Sequence, residues 1–235
     1  MLCKIADLLV EIPGDGGMDS RCQDYLVNSE QKADIVIRKE LYNLDRWEKL
    51  SYDNSVYMES GGFFYSSLLL NNGMMLHSSA IEYEGKAYLF SGPSGMGKST
   101  HTRLWREVLG DGVRVFNDDK PALRLIDGVW YAYGTPWSGK DGININTRVP
   151  LAGICFLRRG DSNSIRRLSP IEATSAVMTQ TLNRFQTEKG MGVLMDIVEK
   201  LVTKIPVHVL SCLPNEEAAK LSYETMKRAA QEENL

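Results

Sequence analysis

The stretch GPSGMGKST at residues 92–100 is the most informative part of this 235-residue sequence. Its first eight residues match the phosphate-binding pattern GxxxxGK[ST] in full. An apolar segment, Lys86–Phe90, precedes the loop, and a helix-compatible segment, Thr100–Leu109, follows it and ends at Gly110. Glycines let successive backbone N–H groups converge on phosphate oxygens, and the positive end of the following helix faces them. The pattern therefore predicts a P-loop that binds nucleotide phosphates.

Two side chains of this loop have separate predicted roles. Lys98 supplies a mobile positive charge for the β and γ phosphates of ATP, and Ser99 offers a hydroxyl ligand to Mg²⁺. The residues predicted to bind ATP are Gly92, Ser94, Gly95, Met96, Gly97, Lys98, Ser99 and Thr100.

Hairpin signals on either side of the loop decide the kind of sheet. Strands at 80–83 and 86–90 flank Glu84-Gly85, and strands at 122–126 and 129–133 flank Asp127-Gly128. Hairpins beside a glycine-rich loop favour a mixed sheet over a purely parallel one. Further elements are predicted at Leu151–Leu157 (strand), Ile171–Phe185 (helix), Gly192–Thr203 (helix), Ile205–Leu210 (strand) and Asn215–Ala230 (helix). The predicted fold class is α/β, a mixed sheet around a P-loop with C-terminal helices.

The first 70 residues read differently from the rest. Candidate strands at Lys4–Ile12 and Asp34–Leu41 and period-two alternation at Ser55–Met58 predict a small β-rich N-terminal section. We expect residues 71–235 to form one further domain, built around the P-loop.

An acidic pair, Asp118-Asp119, follows a short apolar strand at Val113–Phe116. Carboxylates at a strand end beside a P-loop suit both metal binding and activation of a nucleophile. We expect Asp119 to bind Mg²⁺ with Ser99 and Asp118 to accept a proton from an attacking hydroxyl, although the sequence leaves the reverse assignment open. The alternative is a polar turn after a strand.

His77 is a further candidate catalytic residue, 21 residues before Lys98. The strand after it and the strand that feeds the P-loop belong to one predicted hairpin, so His77 can lie beside the loop. His101 and His208 are predicted to be structural.

The loop at 134–142, GTPWSGKDG, contains a cation, Lys140, that can stabilise a phosphoryl group in transfer. A solvated lysine is the alternative. Glycines at 134, 139 and 142 permit a hinge-like change. Trp137 is either a lid or a platform for the acceptor, or an anchor for its own loop.

His77, the loop at 92–99 and the acidic pair together resemble the HPr kinase/phosphorylase catalytic domain, whose core ATP-dependent phosphoenolpyruvate carboxykinase shares. The resemblance spans about residues 77 to 210 and implies that His77 lies near the γ-phosphate. Where the protein-kinase members have an EIRGxG loop, this sequence has residues 134–142. It looks most like stand-alone kinase-like proteins of this superfamily, some of which are associated with modified-peptide biosynthesis.

The resemblance implies ATP-dependent phosphoryl transfer to a hydroxyl, above all Ser or Thr of a peptide or small protein. The alternatives are a small-metabolite kinase and an ATP-sensing module without catalysis.

Charge and composition exclude other classes of function. The net charge of −3 argues against nucleic-acid binding, and the most apolar stretch, Gly61–Leu76, is too short to cross a membrane. The four cysteines are far apart and form no CxxC pair, which favours reduced buried thiols and a cytoplasmic location. A homo-oligomer is left open.

Overall fold

A large mixed sheet forms the centre of the protein, which we describe from a computed structural model covering residues 1–181 and 188–235. The strands are β1 (Leu2–Ile5), β2 (Leu8–Glu11), β3 (Ile35–Val36), β4 (Gly73–Met75), β5 (Ser78–Tyr83), β6 (Lys86–Ser91), β7 (Arg114–Asn117), β8 (Ala122–Ile126), β9 (Val129–Tyr133), β10 (Arg148–Arg159), β11 (Ser164–Arg167) and β12 (Val207–Cys212). The helices are α1 (Met18–Arg21), α2 (Tyr52–Leu68), α3 (Lys98–Leu109), α4 (Pro170–Thr179), α5 (Glu188–Lys204) and α6 (Glu216–Glu232). The predicted α/β class with a mixed sheet is confirmed.

The 12-residue strand β10 joins two parts of this sheet. Its first residues, Arg148–Pro150, pair antiparallel with β9, which continues to β8 and β4. Its later residues run parallel to β6 on one side and to β12 on the other. The second part of the sheet therefore has the order β11-β12-β10-β6-β5-β7.

This strand order brings separate parts of the chain to one edge of the sheet. β5 and β6 are antiparallel with Ser78 opposite Ser91, so β5 begins where β6 ends. β7 is antiparallel to β5, and it therefore also ends at this edge. Residue 77, the loop at 92–97 and residues 118–119 consequently meet there.

Helices cover both faces of the sheet, because the strand residues that point to each face are apolar. Leu89 and Ile154 pack with α4 and α5, including Val177 and Leu194. Phe90 and Cys155 pack on the opposite face with α3 and α6. No helix among residues 1–181 and 188–235 is both long and apolar enough to span a membrane.

Both predicted hairpins are present, and the structure adds a third, formed by β1 and β2. Glu84 and Asp127 have φ of 50° and 48°, as tight two-residue turns require before their glycines. The strand predicted over Lys4–Ile12 is wrong, because the chain turns at Ala6 and Asp7 with φ of 52° and 61°. Alanine rarely adopts positive φ, so the sequence gives no turn signal there.

The strand predicted over Ser55–Met58 is also wrong, because these residues lie in the 17-residue helix α2. Ser51 caps the helix by accepting a hydrogen bond from the Asn54 N–H at 3.3 Å. Of the strand predicted at Asp34–Leu41, only Ile35–Val36 pairs, and Lys39–Leu41 forms a helical turn. The N-terminal section thus contains a long helix besides its short strands, and the boundary near residue 70 stays a prediction.

The C-terminal helices agree with the sequence in position. Ser169 caps α4 ahead of Pro170, and Asn215 caps α6. Helix α4 ends at Thr179, short of the predicted Phe185, and residues 182–185 of that prediction lie outside the described residues.

Gly134 is fixed by packing, which corrects its predicted role as a hinge. A Cβ atom at this position would lie 1.8 Å from the Ile145 carbonyl oxygen. We expect Gly134→Ala to lower the free energy of unfolding by about 2–3 kcal/mol, since the backbone must shift to relieve the overlap. Urea denaturation measures this effect.

The matched control is Gly192→Ala in helix α5, where a Cβ atom meets nothing within 4 Å. It should raise the free energy of unfolding by about 0.5–1 kcal/mol, because alanine favours helix over glycine. Equal stability of the Gly134→Ala variant and the wild-type protein would contradict the packing argument.

His101 and His208 are buried within the fold, which agrees with their predicted structural role. His101 Nε2 lies 2.9 Å from Ser222 Oγ, which also accepts a hydrogen bond from Trp105 Nε1. Burial lowers the pKa of each histidine from 6.5 to about 4, so both rings are neutral in the folded protein at neutral pH.

These two histidines should make stability depend on pH. Below pH 6.5 the unfolded chain takes up protons that the folded chain does not, so the free energy of unfolding falls as the pH drops towards 4. Between pH 7 and pH 5 we expect a loss of about 1–2 kcal/mol per histidine. Urea denaturation at both values should show a smaller loss for His101→Gln, and an unchanged loss would contradict its burial as a neutral ring.

Candidate active site

An open cleft of about 630 Å³ lies at the shared edge of β5, β6 and β7. It is lined by His77, Ser94, Gly95, Gly97, Lys98, Ser99, Thr100, Asp118, Asp119, Gly139, Lys140 and Asp141. The four residues predicted to be catalytic are therefore brought together with most of those predicted to bind ATP. Gly92 and Met96, also in the predicted ATP set, line neighbouring clefts instead.

The glycine-rich loop connects the end of β6 to helix α3, which begins at Lys98. Gly95 and Gly97 have φ of 75° and 98°, a backbone conformation that favours glycine. The Lys98 ammonium folds back over the loop and donates to the Gly92 carbonyl at 3.0 Å. Burial lowers its pKa.

Asp118 lies just beyond β7, and its carboxylate faces backbone N–H groups. Oδ1 accepts from the Gly139 N–H at 2.6 Å, and Oδ2 accepts from the Asp141 N–H at 3.2 Å. A Cβ atom at residue 139 would lie 2.9 Å from Asp118 Oδ2, so this approach requires glycine. Burial raises the pKa of Asp118, and the hydrogen bonds from Gly139 and Asp141 oppose this only in part.

Asp119 is held by positive and hydrogen-bonding groups on both carboxylate oxygens. Oδ1 lies 3.1 Å from His77 Nε2, and Oδ2 pairs with the Lys120 ammonium. Burial alone would raise the pKa of Asp119, but the His77 hydrogen bond and the Lys120 charge outweigh it and hold the pKa well below its usual range. The pKa values of the two adjacent acids are therefore shifted in opposite directions.

The His77 ring lies between Asp119 and Gln180. Its Nδ1 is 3.3 Å from Gln180 Oε1, and its backbone N–H donates to the Gln180 carbonyl at 2.8 Å. Gln180 thus fixes both the main chain and the ring of His77 from the end of α4.

Two residues beside the acids were not singled out from the sequence. The Lys120 ammonium donates to the Tyr57 hydroxyl at 2.9 Å, and Tyr57 donates to the Ser138 carbonyl at 2.9 Å. Lys120 directly follows the acidic pair, so its position in the sequence was a usable signal. Tyr57 lies on α2, where a strand was predicted, and no sequence pattern pointed to it.

Trp137 anchors the loop at 134–142 rather than covering the cleft as a lid. The indole is fully buried, stacks on Phe64 at 4.8 Å between ring centres, and donates from Nε1 to Ser60 Oγ at 3.1 Å. Lys140 is exposed at the rim of the cleft.

The donor set of the cleft fits Mg²⁺. No group of three or more His, Cys, Asp or Glu side chains within the described ranges could hold a metal ion alone. Magnesium needs no such cage, because it binds through one or two carboxylates together with substrate phosphates and waters. Ser99 and Asp119 carry oxygen atoms of the required kind, and both residues line the same cleft.

Comparisons with known proteins match a family model and include a weak structural likeness. The family model described as SynChlorMet cassette protein ScmC matches residues 54–215. The solved structure of the Hpr(Ser) kinase/phosphatase from Coxiella burnetii covers 67% of this chain and 90% of its own, with 11% identity and a TM-score of 0.37. A search of curated proteins finds no match.

Proposed function

The chain belongs to the family described as SynChlorMet cassette protein ScmC, and we propose that it is a kinase that transfers a phosphoryl group from ATP to a hydroxyl. The acceptor we infer is a Ser or Thr side chain of a peptide or small protein. The observation that carries the proposal is the cleft, where a glycine-rich loop and Lys98 face two acids whose pKa values are shifted in opposite directions.

The nucleotide would span two adjoining clefts. Its phosphates would lie on the N–H groups of the loop at 92–97 and the first turn of α3, where the helix dipole favours anions. A second cleft of about 410 Å³ shares Gly95, Gly97 and Thr100 with the reactive cleft. Its apolar wall, which includes Leu104 and Leu157, suits a nucleoside.

The opposite pKa shifts of Asp118 and Asp119 support separate roles for the two acids in phosphoryl transfer. Ser99 and Asp119 would hold Mg²⁺, which when bound offsets negative charge on the β and γ phosphates. Asp118, with its raised pKa, would accept the proton of the attacking hydroxyl. The bond from the acceptor oxygen to the γ phosphorus then forms as the bond to the β–γ bridging oxygen breaks, and ADP leaves.

His77 and Lys140 would act on charge and orientation in the same step. His77 keeps Asp119 Oδ1 in place from the side of β5, opposite Lys120. Lys140 at the rim can reach a phosphoryl group in transfer without giving up a described partner. The alternative, an ATP-sensing module that transfers nothing, would not need a proton acceptor, which is the role proposed for Asp118.

Transfer is tested by mass spectrometry of peptides and small proteins from the same cell after incubation with ATP and Mg²⁺. We expect a phosphorylated Ser or Thr with the wild-type protein and none with Lys98→Ala, which removes a charge from the phosphates. Calorimetry should show ATP affinity reduced by at least about tenfold, as for loss of a charged hydrogen bond.

The matched control is Lys49→Ala, an exposed lysine outside the cleft, which should behave as the wild-type protein. Phosphorylation that persists undiminished with Lys98→Ala would contradict the proposal. If a small metabolite is phosphorylated and no peptide is, the protein is a kinase, but its acceptor is a small metabolite.

Asparagine substitutions separate the two acids. Asp118→Asn keeps size but removes the base, so turnover should fall by roughly 10²–10⁴-fold while ATP affinity stays within a few-fold. Asp119→Asn should instead weaken Mg²⁺-dependent ATP binding. Turnover assays and calorimetry with and without Mg²⁺ give both values, and an exchange of the two phenotypes would reverse the assigned roles.

A further inference from the structure

One tyrosine hydroxyl connects the N-terminal section to both sides of the cleft. Tyr57 Oη donates to the Ser138 carbonyl oxygen at 2.9 Å and accepts from Lys120 Nζ at 2.9 Å. It also lies 3.5 Å from Asp119 Oδ2. A phenol has one proton to donate, and the shorter contact assigns that proton to Ser138.

Lys120 is fixed at its backbone as well as at its ammonium. Its carbonyl accepts from Tyr65 Oη at 2.5 Å and from Thr135 Oγ1 at 2.8 Å. Its N–H donates to Asn117 Oδ1 at 2.8 Å. Hydrogen bonds therefore hold the backbone of Lys120 in place. Its ammonium pairs with Asp119 and has the Tyr57 hydroxyl as its second partner.

Ser138 links the same tyrosine to the other acid. The next residue, Gly139, gives its N–H to Asp118, so the position of the Ser138 carbonyl controls that hydrogen bond. Arg21, from α1, donates to Ser138 Oγ at 3.1 Å and lies 4.9 Å from the Tyr57 ring centre. The N-terminal section thus reaches Asp118 through the loop and Asp119 through Lys120.

We propose that Tyr57 is a positioning residue, which fixes residues 138–141 and the Lys120–Asp119 pair relative to each other. The part of this proposal that concerns turnover rests on the proposed kinase function. The two acids lie at the free end of a strand, and each takes its position from a different partner. The Tyr57 hydroxyl contacts one group on each side, the Ser138 carbonyl next to Gly139 and the Lys120 ammonium beside Asp119.

Tyr57→Phe removes the hydroxyl and keeps the ring against Arg21. Hydrogen exchange should show the Gly139 and Asp141 amides opening about fivefold faster, as expected for loss of one hydrogen bond that holds the loop. Turnover should fall about tenfold, because misplacement of reacting groups lowers kcat, while the KM for ATP stays within about twofold.

The matched control is Tyr52→Phe on the same helix. Tyr52 is exposed, and its hydroxyl donates to Asp15 Oδ2 at 2.7 Å, away from the cleft. The Tyr52→Phe variant should leave turnover and the exchange of the Gly139 and Asp141 amides unchanged. If the Tyr57→Phe variant also leaves both unchanged, the proposal is overturned.

A merely structural role for Tyr57 predicts a different result. Exchange would then rise equally in the β5–β6 hairpin, at Ile81 and Leu89, and that outcome would also overturn the proposal. Hydrogen exchange needs no turnover, so it separates the two claims. Faster exchange at Gly139 in a protein that phosphorylates nothing would support the positioning role and refute the proposed kinase.

Discussion

Two neighbouring carboxylates at the end of one strand repel each other, and the cleft depends on the different surroundings that the chain gives them. Asp118 faces two neutral backbone N–H groups, whereas Asp119 lies between the His77 ring and the Lys120 ammonium. Positive charge and hydrogen bonds both favour the ionised form of a carboxyl group, whereas burial favours the neutral form. At Asp119 the His77 hydrogen bond and the Lys120 charge outweigh burial, and at Asp118 the backbone hydrogen bonds do not. The pKa of Asp119 is therefore lowered and that of Asp118 raised, although the two residues are adjacent.

Long-range connections produce this separation. The β5–β6 hairpin brings His77 to the end of β7, and the return of the chain at Gly139 brings N–H groups to Asp118. The buried Trp137 holds the intervening loop against α2. Besides the adjacent Lys120, the acids thus depend on two separate stretches of the chain, at 77 and at 139–141.

Local signals account for what the sequence predicted well. The glycine-rich loop and the Glu84-Gly85 turn are short patterns, and the register of that hairpin brings His77 beside the end of β6, where the loop begins. The pairing of β7 with β5, which no local pattern predicts, then brings Asp119 to His77. Helix α2 was missed because it is buried on several sides, so its apolar residues follow no helical stripe, and two glycines interrupt it. Tyr57 could not be found while its helix was read as a strand, since its contacts with Lys120 and Ser138 are entirely tertiary.

The contact between α2 and Trp137 also limits how this sequence can diverge. A Cβ atom at Gly61 would lie 3.0 Å from Trp137 Cδ1, so the missing side chain on the helix makes room for the indole. The two positions are complementary in size although 76 residues separate them in the chain. Among related sequences, a larger residue at 61 should accompany a smaller one at 137, and the pair should change together over evolutionary time.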